Sequence, residues 1–238
     1  MNHAQFNTGE DWKSRGFRMR MPPLILATYD PAGDGDDRDA LVMMAREEHQ
    51  QGECWDPDFA VQMVFRVLMV HQMPSTFEFP DKLAMLLRLH RELGRWQRMG
   101  RCKRHVFGVE TNGVGYAMGS SLRNAIGNHV LTYHTASQTA TDSAYSDKRI
   151  TMPRLPALDH LRVLAETHSL KIASDAPGKE ILAKELASFV WRRPGRPEAI
   201  EGQKDDTVMA AAGGCWIGAK VLPPFLKHKR FSADRGYH

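Results

Sequence analysis

The segment LILATYDPAGDGDDRDALVMM, residues 24–44, contains a folding unit that fixes the start of the fold. An apolar run at residues 24–29 follows two prolines and ends at Asp30, and a second apolar run at residues 40–45 follows a turn rich in glycine and aspartate. Clusters of Gly, Pro and Asp between short apolar runs are typical of turns between strands. The segment therefore predicts strand, turn and strand, with Asp30 at the end of the first strand.

The residues that follow extend this unit into a meander. Residues 47–58 are polar and predict a loop, and residues 59–72 alternate apolar and polar side chains, which predicts a third strand. We expect the three strands to pair in antiparallel order. From Pro80 to Gly100 the apolar side chains follow a helical period, so a helix comes next.

The second half of the chain alternates strands and helices. A short strand at residues 106–109 delivers Glu110, and a helix follows at residues 113–126. The same order recurs around residues 130–133, 146–167 and 170–173, and further helices are expected at residues 178–190 and 206–219, with a turn or hairpin tip at residues 191–197. This order predicts an α/β fold: an antiparallel meander followed by parallel strands in one mixed sheet, with helices on both faces.

Length and composition favour a single globular domain. The 238 residues, 42% of them hydrophobic, can bury a full core, so we expect one domain over residues 1–238, with its core at about residues 22–220 between a polar N-terminal tail and a basic C-terminal tail. The three cysteines form no C-x-x-C pair, which argues against a zinc knuckle or a disulfide framework and favours the cytoplasm. No apolar run reaches the roughly 18 residues of a membrane span, and the N-terminus lacks the apolar region of a signal peptide.

Positive charges are clustered, although the formal net charge is only +4. One cluster lies at residues 95–104, a second contains Arg192, Arg193 and Arg196, and a third lies at residues 227–230. Such clusters suit a polyanion and make its binding salt-dependent. The alternative is that they are solvated loops and tails.

Carboxylates at the edges of apolar stretches are the candidate functional residues. They are Asp30, Glu110 in HVFGVETNGVG (residues 105–115), and the pair Asp205 and Asp206 in GQKDDTVMAAAGG (residues 202–214). Carboxylates gathered at strand ends can hold Mg²⁺ or Mn²⁺, and two such ions about 3.5–4 Å apart can clamp the attacking and leaving oxygens of a phosphodiester. The pattern predicts a metal-dependent nuclease. The structural alternatives are turn residues at Asp30 and Glu110 and helix caps at Asp205 and Asp206.

Three motifs resemble those of the nuclease domain of phage terminase large subunits, a ribonuclease-H-like family. LILATYDPAGDGDDRDALVMM is similar to its first acidic motif, HVFGVETNGVGYAMGSSLR (residues 105–123) to its second and GQKDDTVMAAAGG to its third. KEILAKELASFVW, residues 179–191, matches the approach to the last helix. The resemblance covers about residues 22–220. It implies two-metal hydrolysis of DNA, with Asp30 bridging two Mg²⁺ or Mn²⁺ ions and Glu110 and Asp206 each holding one side.

The resemblance also implies partners. Double-stranded DNA would be carried by its phosphates along the basic loops at residues 98–104 and 192–196, and a packaging ATPase, the small terminase subunit and the portal would assemble with the domain. The sequence contains no G-x-x-x-x-G-K-[ST] loop, so no ATPase is expected in it. Two other functions remain open: a Holliday-junction resolvase or transposase-type nuclease of the same fold, and a non-catalytic DNA-binding assembly module.

Helix geometry distinguishes the paired aspartates. If the last helix starts at this pair, Asp205 is the better placed N-cap, whose carboxylate would accept the free amides of the first turn. Asp206 would lie on the face that continues through Ala210, Gly213 and Gly214, whose small side chains mark the side against the sheet. We therefore expect Asp206 to face the metal ions, with Asp205 as the alternative ligand.

Two other groups suggest metal chemistry less directly. Asp34, Asp36, Asp37 and Asp39 lack the Gly and Glu offsets of a calcium loop and predict a solvated turn, with Asp39 as a candidate auxiliary ligand. His105, His129 and His134 have no metal-binding spacing and are predicted to be core or surface residues.

Overall fold

The computed structural model describes residues 22–32, 38–51, 60–74, 76–113, 115–136, 145–146, 149–193, 196–199 and 204–226. Within these residues, eight strands form the main sheet: β1 (Leu24–Asp30), β2 (Ala40–Gln51), β3 (Ala60–Gln72), β4 (Arg104–Glu110), β5 (Val130–Ala136), β6 (Tyr145–Ser146), β7 (Arg149–Pro153) and β8 (Leu170–Ile172). Strands β9 (Phe189–Arg193) and β10 (Arg196–Ala199) form a separate hairpin. The helices are α1 (Phe79–Arg98), α2 (Gly115–Ile126), α3 (Arg154–Glu166), α4 (Lys179–Ser188) and α5 (Asp206–Trp216).

The main sheet is mixed, as the sequence predicted. Its strand order is β6-β7-β5-β4-β1-β2-β3-β8. The first three strands pair antiparallel as a meander. Strands β4, β5 and β7 then add in parallel beside β1, and β8 adds in parallel beside β3. The carboxyl ends of β1, β4 and β5 therefore lie at one edge of the sheet.

Helices cover both faces of the sheet, which confirms a second expectation. Side chains of a strand alternate between faces, so Leu24 and Leu26 of β1 pack in a core that includes α5, while Ile25 and Ala27 pack in a second core with residues of α1 and α2. The two layers of apolar contacts fix which face each residue of β1 and β4 presents. Among the described helices, none is long and apolar enough to span a membrane.

Helix α5 lies close to the sheet because its residues are small. All residues from 207 to 216 are buried. A Cβ atom added at Gly213 would lie 2.5 Å from the hydroxyl oxygen of Tyr133, and one at Gly214 would lie 2.8 Å from Thr28 Oγ1. The predicted close approach of this helix to the sheet is thus observed, and the helix continues into a π-helical turn at Ile217–Val221.

The predicted loop at residues 47–58 is wrong in its first part. Strand β2 continues to Gln51 and pairs with β3 as far as Ala60. Backbone pairing needs no apolar alternation, and here polar cross-strand contacts contribute: Arg66 Nε donates to Glu47 Oε1 at 2.9 Å. Polarity alone therefore misidentified a half-buried strand extension as a loop.

Some predicted features lie outside the described residues. These include both tails, the aspartates at positions 34, 36 and 37, and the basic cluster at residues 227–230. For Arg192, Arg193 and Arg196 the structure describes the backbone of the β9–β10 hairpin, which corresponds to the hairpin tip predicted at residues 191–197.

Candidate metal centre

The structure brings Asp30, Glu110 and Asp206 to the same edge of the sheet. Asp30 ends β1 and Glu110 ends β4. These strands are parallel neighbours with Tyr29 opposite Val109, so the next residue of each strand is a carboxylate. Alternation turns both away from the α1 and α2 core, toward the face that α5 covers. Asp206 is the first residue of α5 and reaches the same place from above that face.

The charges of these carboxylates interact strongly. The pKa of Asp30 is raised well above its usual range, first by burial, then by the charge of Glu110 and a side-chain hydrogen bond with it, and further by the charges of Asp206 and Asp205. A raised pKa means that the anionic form of Asp30 is disfavoured unless positive charge is added. The cluster therefore has the electrostatics of a cation-binding site.

Two neighbours orient the Glu110 side chain, which is only 7% exposed. Asn112 Nδ2 donates to Glu110 Oε1 at 2.9 Å, and Thr135 Oγ1 of β5 donates to the same oxygen. Asn112 also reaches the carbonyl of Thr135 at 3.4 Å, which ties the turn after β4 to the end of β5. Asn112 lies within the second acidic motif, whereas no sequence signal marks Thr135, whose contact depends on the pairing of β5 with β4.

The predicted capping role of Asp205 is wrong. Asp205 occupies the N-cap position of α5, but its carboxylate makes no capping hydrogen bond. Instead, Arg154 Nη2 of α3 donates to Asp205 Oδ2 at 2.7 Å. A nearby guanidinium that forms an ion pair competes with the weaker amide donors of the first turn. The backbone amide of Arg38 lies 3.4 Å from Asp206 Oδ2.

Glu185 of α4 caps α5 in place of Asp205. Its Oε2 atom accepts hydrogen bonds from the amide and hydroxyl of Thr207 at 2.8 and 2.6 Å and from the amide of Val208 at 3.3 Å. Burial raises the pKa of Glu185, and the hydrogen bonds from Thr207 and Val208 oppose that shift. The sequence contained a signal for this residue, because Glu185 follows the buried Leu182 by three positions and shares its helix face.

Asp39 is engaged in the protein framework. Its Oδ2 atom accepts hydrogen bonds from the Tyr29 hydroxyl at 2.9 Å and pairs with Lys82 Nζ at 2.5 Å, while Oδ1 accepts from the amide of Ala32 at 2.6 Å. These contacts fix the chain that follows Asp30 and attach it to α1. The structure thus supports a framework role for Asp39.

Tyr133 forms the buried floor beside the cluster. It is paired with Glu110 across β4 and β5 and lies under Gly213 of α5. Burial first, and then the charges of Glu110 and Asp30, raise its pKa, so the phenol stays protonated. Its hydroxyl has no hydrogen-bond partner within the described part of the chain. No sequence signal identifies Tyr133, because nothing in a strand pattern indicates which aromatic residue lies beside a carboxylate.

The two basic loops differ in their position relative to the cluster. Arg104 begins β4 and Glu110 ends it, a separation of roughly 20 Å at the rise of a β-strand. The cluster at residues 98–104 therefore lies at the end of β4 opposite to the carboxylates. The β9–β10 hairpin instead follows α4 directly, just beyond the helix end at which Glu185 caps α5.

Superposition on solved structures agrees with the fold described above, whereas sequence comparisons found no relative. No model of a known protein family matches the sequence, and no curated protein matches it. The human cytomegalovirus terminase nuclease domain, in a manganese-soaked crystal, superposes with a TM-score of 0.54 at 10% identity and covers 90% of this chain and 88% of its own. The same domain with an inhibitor bound gives 0.54 at 10% identity, with 89% of each chain covered.

A further solved structure gives a weaker superposition. It is the large terminase nuclease of the thermophilic phage G20c with bound cobalt, which superposes with a TM-score of 0.48 at 17% identity and covers 81% of this chain and 80% of its own. The two cytomegalovirus superpositions show that this chain shares the fold of that domain.

Proposed function

We propose that this chain is a metal-dependent endodeoxyribonuclease that hydrolyses DNA phosphodiesters, as the nuclease domain of a genome-packaging terminase. The observation that carries the proposal is the convergence of Asp30, Glu110 and Asp206 at one edge of the sheet, where burial and then the charges of Glu110 and Asp206 raise the pKa of Asp30. We assign all 238 residues to one nuclease domain.

The carboxylates fit divalent cations. Oxygen ligands suit Mg²⁺ and Mn²⁺, and the disfavoured charge on Asp30 is the charge that a cation stabilises. Asp30, Glu110 and Asp206 would hold the ions, with Asp205 as the alternative ligand. Two bound ions would supply Lewis-acid stabilisation of the attacking and leaving oxygens of the phosphodiester. Manganese in crystals of the cytomegalovirus domain is consistent with this choice of ion.

The other residues of the site position the ligands. Thr135 and Asn112 fix one oxygen of Glu110. Glu185 fixes the first turn of α5 and so the place of Asp206. Tyr133 fills the space beneath them and excludes water from the sheet side of the cluster.

DNA binding would use basic residues of the β9–β10 hairpin and of α3. We assign this role to the β9–β10 hairpin, which contains Arg192, Arg193 and Arg196, with Arg154 beside Asp205. Contacts of this kind hold phosphates and carry no sequence information, so cleavage should show little sequence preference. In a packaging motor, the ATPase, the small terminase subunit and the portal would be the partners.

Cleavage of supercoiled plasmid tests the proposal. The purified protein should nick or linearise plasmid in Mg²⁺ or Mn²⁺ and should lose this activity in excess chelator. Undiminished cleavage in chelator would contradict the metal requirement. A strong preference for four-way junctions over linear duplex would assign the chain to the resolvases of the same fold, and metal binding without any cleavage would indicate an assembly module.

A further inference from the structure

Three histidines that are distant in sequence meet on the face of the sheet opposite to the carboxylates. His90 lies on α1, His105 near the start of β4, and His129 in the 3₁₀ turn Gly127–His129 before β5. One potential ligand nitrogen from each lies within 4.8 Å of the other two. His105 and Glu110 belong to the same strand but are five residues apart, roughly 17 Å at the rise of a β-strand, and point to opposite faces. The histidine cluster is therefore separate from the candidate metal centre.

The spacing of the ring nitrogens suits a metal ion. His105 Nε2 and His90 Nδ1 are hydrogen-bonded at 3.0 Å, so the ring that donates must carry its proton on its other nitrogen when both bind one ion. Two nitrogens bound tetrahedrally to one zinc ion at 2.0–2.1 Å are about 3.3 Å apart, so this pair is close to ligand geometry. His129 Nδ1 lies 3.1 Å from the carbonyl oxygen of His105. Because a carbonyl only accepts, Nδ1 of His129 bears the proton, and its Nε2 lone pair is available as a ligand.

Burial and neighbouring charges disfavour the protonated form of two of the three rings. Burial, reinforced by the charges of His129, His90 and Arg104, lowers the pKa of His105 from 6.5 to about 4. Burial and the charge of His129 lower the pKa of His90 as well. His105 is 1% exposed, and its Nδ1 has no hydrogen-bond partner among the described residues.

We propose that His90, His105 and His129 bind one Zn²⁺ ion that fastens α1 to the start of β4 and to the turn before β5. Three imidazole nitrogens without a carboxylate suit zinc and disfavour Mg²⁺ and Mn²⁺. Among the described residues, this trio is the only group of three or more histidine, cysteine or acidic side chains whose potential ligand atoms all lie within 4.8 Å of one another. The ion would leave a fourth tetrahedral position for water.

Zinc binding requires one ring to turn. The rings of His105 and His129 are nearly parallel, with 17° between their planes and 4.3 Å between their centroids, whereas a bound ion lies in the plane of each ring. The His90 ring makes angles of 56° and 68° with the other two, which already suits a shared ion. His129 is half-buried and His105 is fully buried, so the zinc-bound state has the His129 ring turned out of the stack.

Calorimetric titration of the whole chain with Zn²⁺, in excess Mg²⁺, tests this site. Wild-type protein should bind one equivalent of Zn²⁺. His90→Gln and His129→Gln should each weaken the affinity for this ion at least tenfold. His160→Gln is the matched control, since His160 is a half-buried helical histidine outside the cluster, and it should bind like wild type. Asp30→Asn should also retain this equivalent, which separates the zinc site from the proposed nuclease centre.

X-ray absorption at the zinc edge, on protein loaded with one equivalent, identifies the ligands directly. The proposal predicts three imidazole nitrogens at about 2.0–2.1 Å in wild type and fewer in His90→Gln. Zinc binding that both cluster variants retain with unchanged stoichiometry and affinity overturns the proposal and indicates adventitious binding by surface histidines. The proposal is also overturned if wild type binds no zinc, or if the zinc that wild type binds is lost in Asp30→Asn.

Discussion

Glu185 of α4 caps the helix that carries Asp206: its Oε2 atom accepts hydrogen bonds from the amide and the hydroxyl of Thr207 at 2.8 and 2.6 Å. The cap comes from a neighbouring helix, and the residue at the N-cap position itself, Asp205, is paired with Arg154. The position of a proposed metal ligand is thus set by a carboxylate more than twenty positions earlier in the sequence.

The first prediction compares these two acids. Glu185→Ala leaves buried amides of the first turn without an acceptor and should cost about 2–4 kcal/mol, whereas Asp205→Ala breaks a partly exposed ion pair and should cost about 1 kcal/mol or less. Urea unfolding of both variants measures the difference. Glu180→Ala, at an exposed position of the same helix, is the control and should be close to wild type. A larger loss in Asp205→Ala would restore it as the functional cap.

The second prediction concerns the packing of α5. Gly213→Ala places a methyl group 2.5 Å from the Tyr133 hydroxyl oxygen, and overpacking of this kind costs about 1–3 kcal/mol. Gly94→Ala in α1 is the matched control, because its nearest neighbour would be Arg98 at 3.7 Å. It should stabilise the protein by up to about 1 kcal/mol through helix propensity. Equal effects of the two changes on the free energy of unfolding would show that α5 does not press against the sheet as described.

Local sequence patterns predicted some parts of the site and not others. Asp30 and Glu110 each end a short apolar run, and parallel neighbours align such ends, so local patterns sufficed to bring them together. Thr135 and Glu185 act through contacts between elements. The helical period placed Glu185 on the buried face of α4, but no local pattern indicated its partner or that of Thr135. The Asp205 cap was predicted from the helix start alone, and Arg154 of α3 changed its outcome. His90, His105 and His129 come from three separate elements, so their sequence spacing gave no metal signal.

The third prediction concerns Asp30 without metal. Its folded-state pKa is raised, so the unfolded chain gives up this proton at lower pH than the folded chain does. Its contribution to stability is therefore present below pH 3.8 and is lost as pH rises through the folded-state pKa. In excess chelator at pH 7–8, Asp30→Asn should melt at a higher temperature than wild type, and Mg²⁺ should narrow the gap. Asp159→Asn, at an exposed ion pair, is the control. A lower melting temperature for Asp30→Asn in chelator would contradict the raised pKa.

The fourth prediction concerns His105, whose contribution to stability is lost as the pH is lowered. The pKa of His105 falls from 6.5 to about 4 on folding, with His90, His129 and Arg104 as its charged neighbours. Between these values the unfolded chain binds more protons, so stability falls as pH is lowered from 6.5 toward 4. Wild type in chelator should lose about 2 kcal/mol more than His105→Asn between pH 7 and pH 5. Chemical denaturation at the two pH values measures this difference, and parallel losses in the two proteins would exclude a buried neutral His105.

The initial rate of plasmid cleavage in Mn²⁺ by matched amide variants tests the central claim most directly. Asp30→Asn, Glu110→Gln and Asp206→Asn preserve shape while removing the charge that the ions require, and each should abolish cleavage while the protein stays folded. Asp205→Asn, which weakens the pair with Arg154 and removes a more distant charge, should retain a substantial part of the wild-type rate. Near wild-type cleavage by Asp30→Asn or Glu110→Gln at saturating Mn²⁺ would contradict the account, and an active Asp206→Asn beside an inactive Asp205→Asn would exchange the roles of the two aspartates.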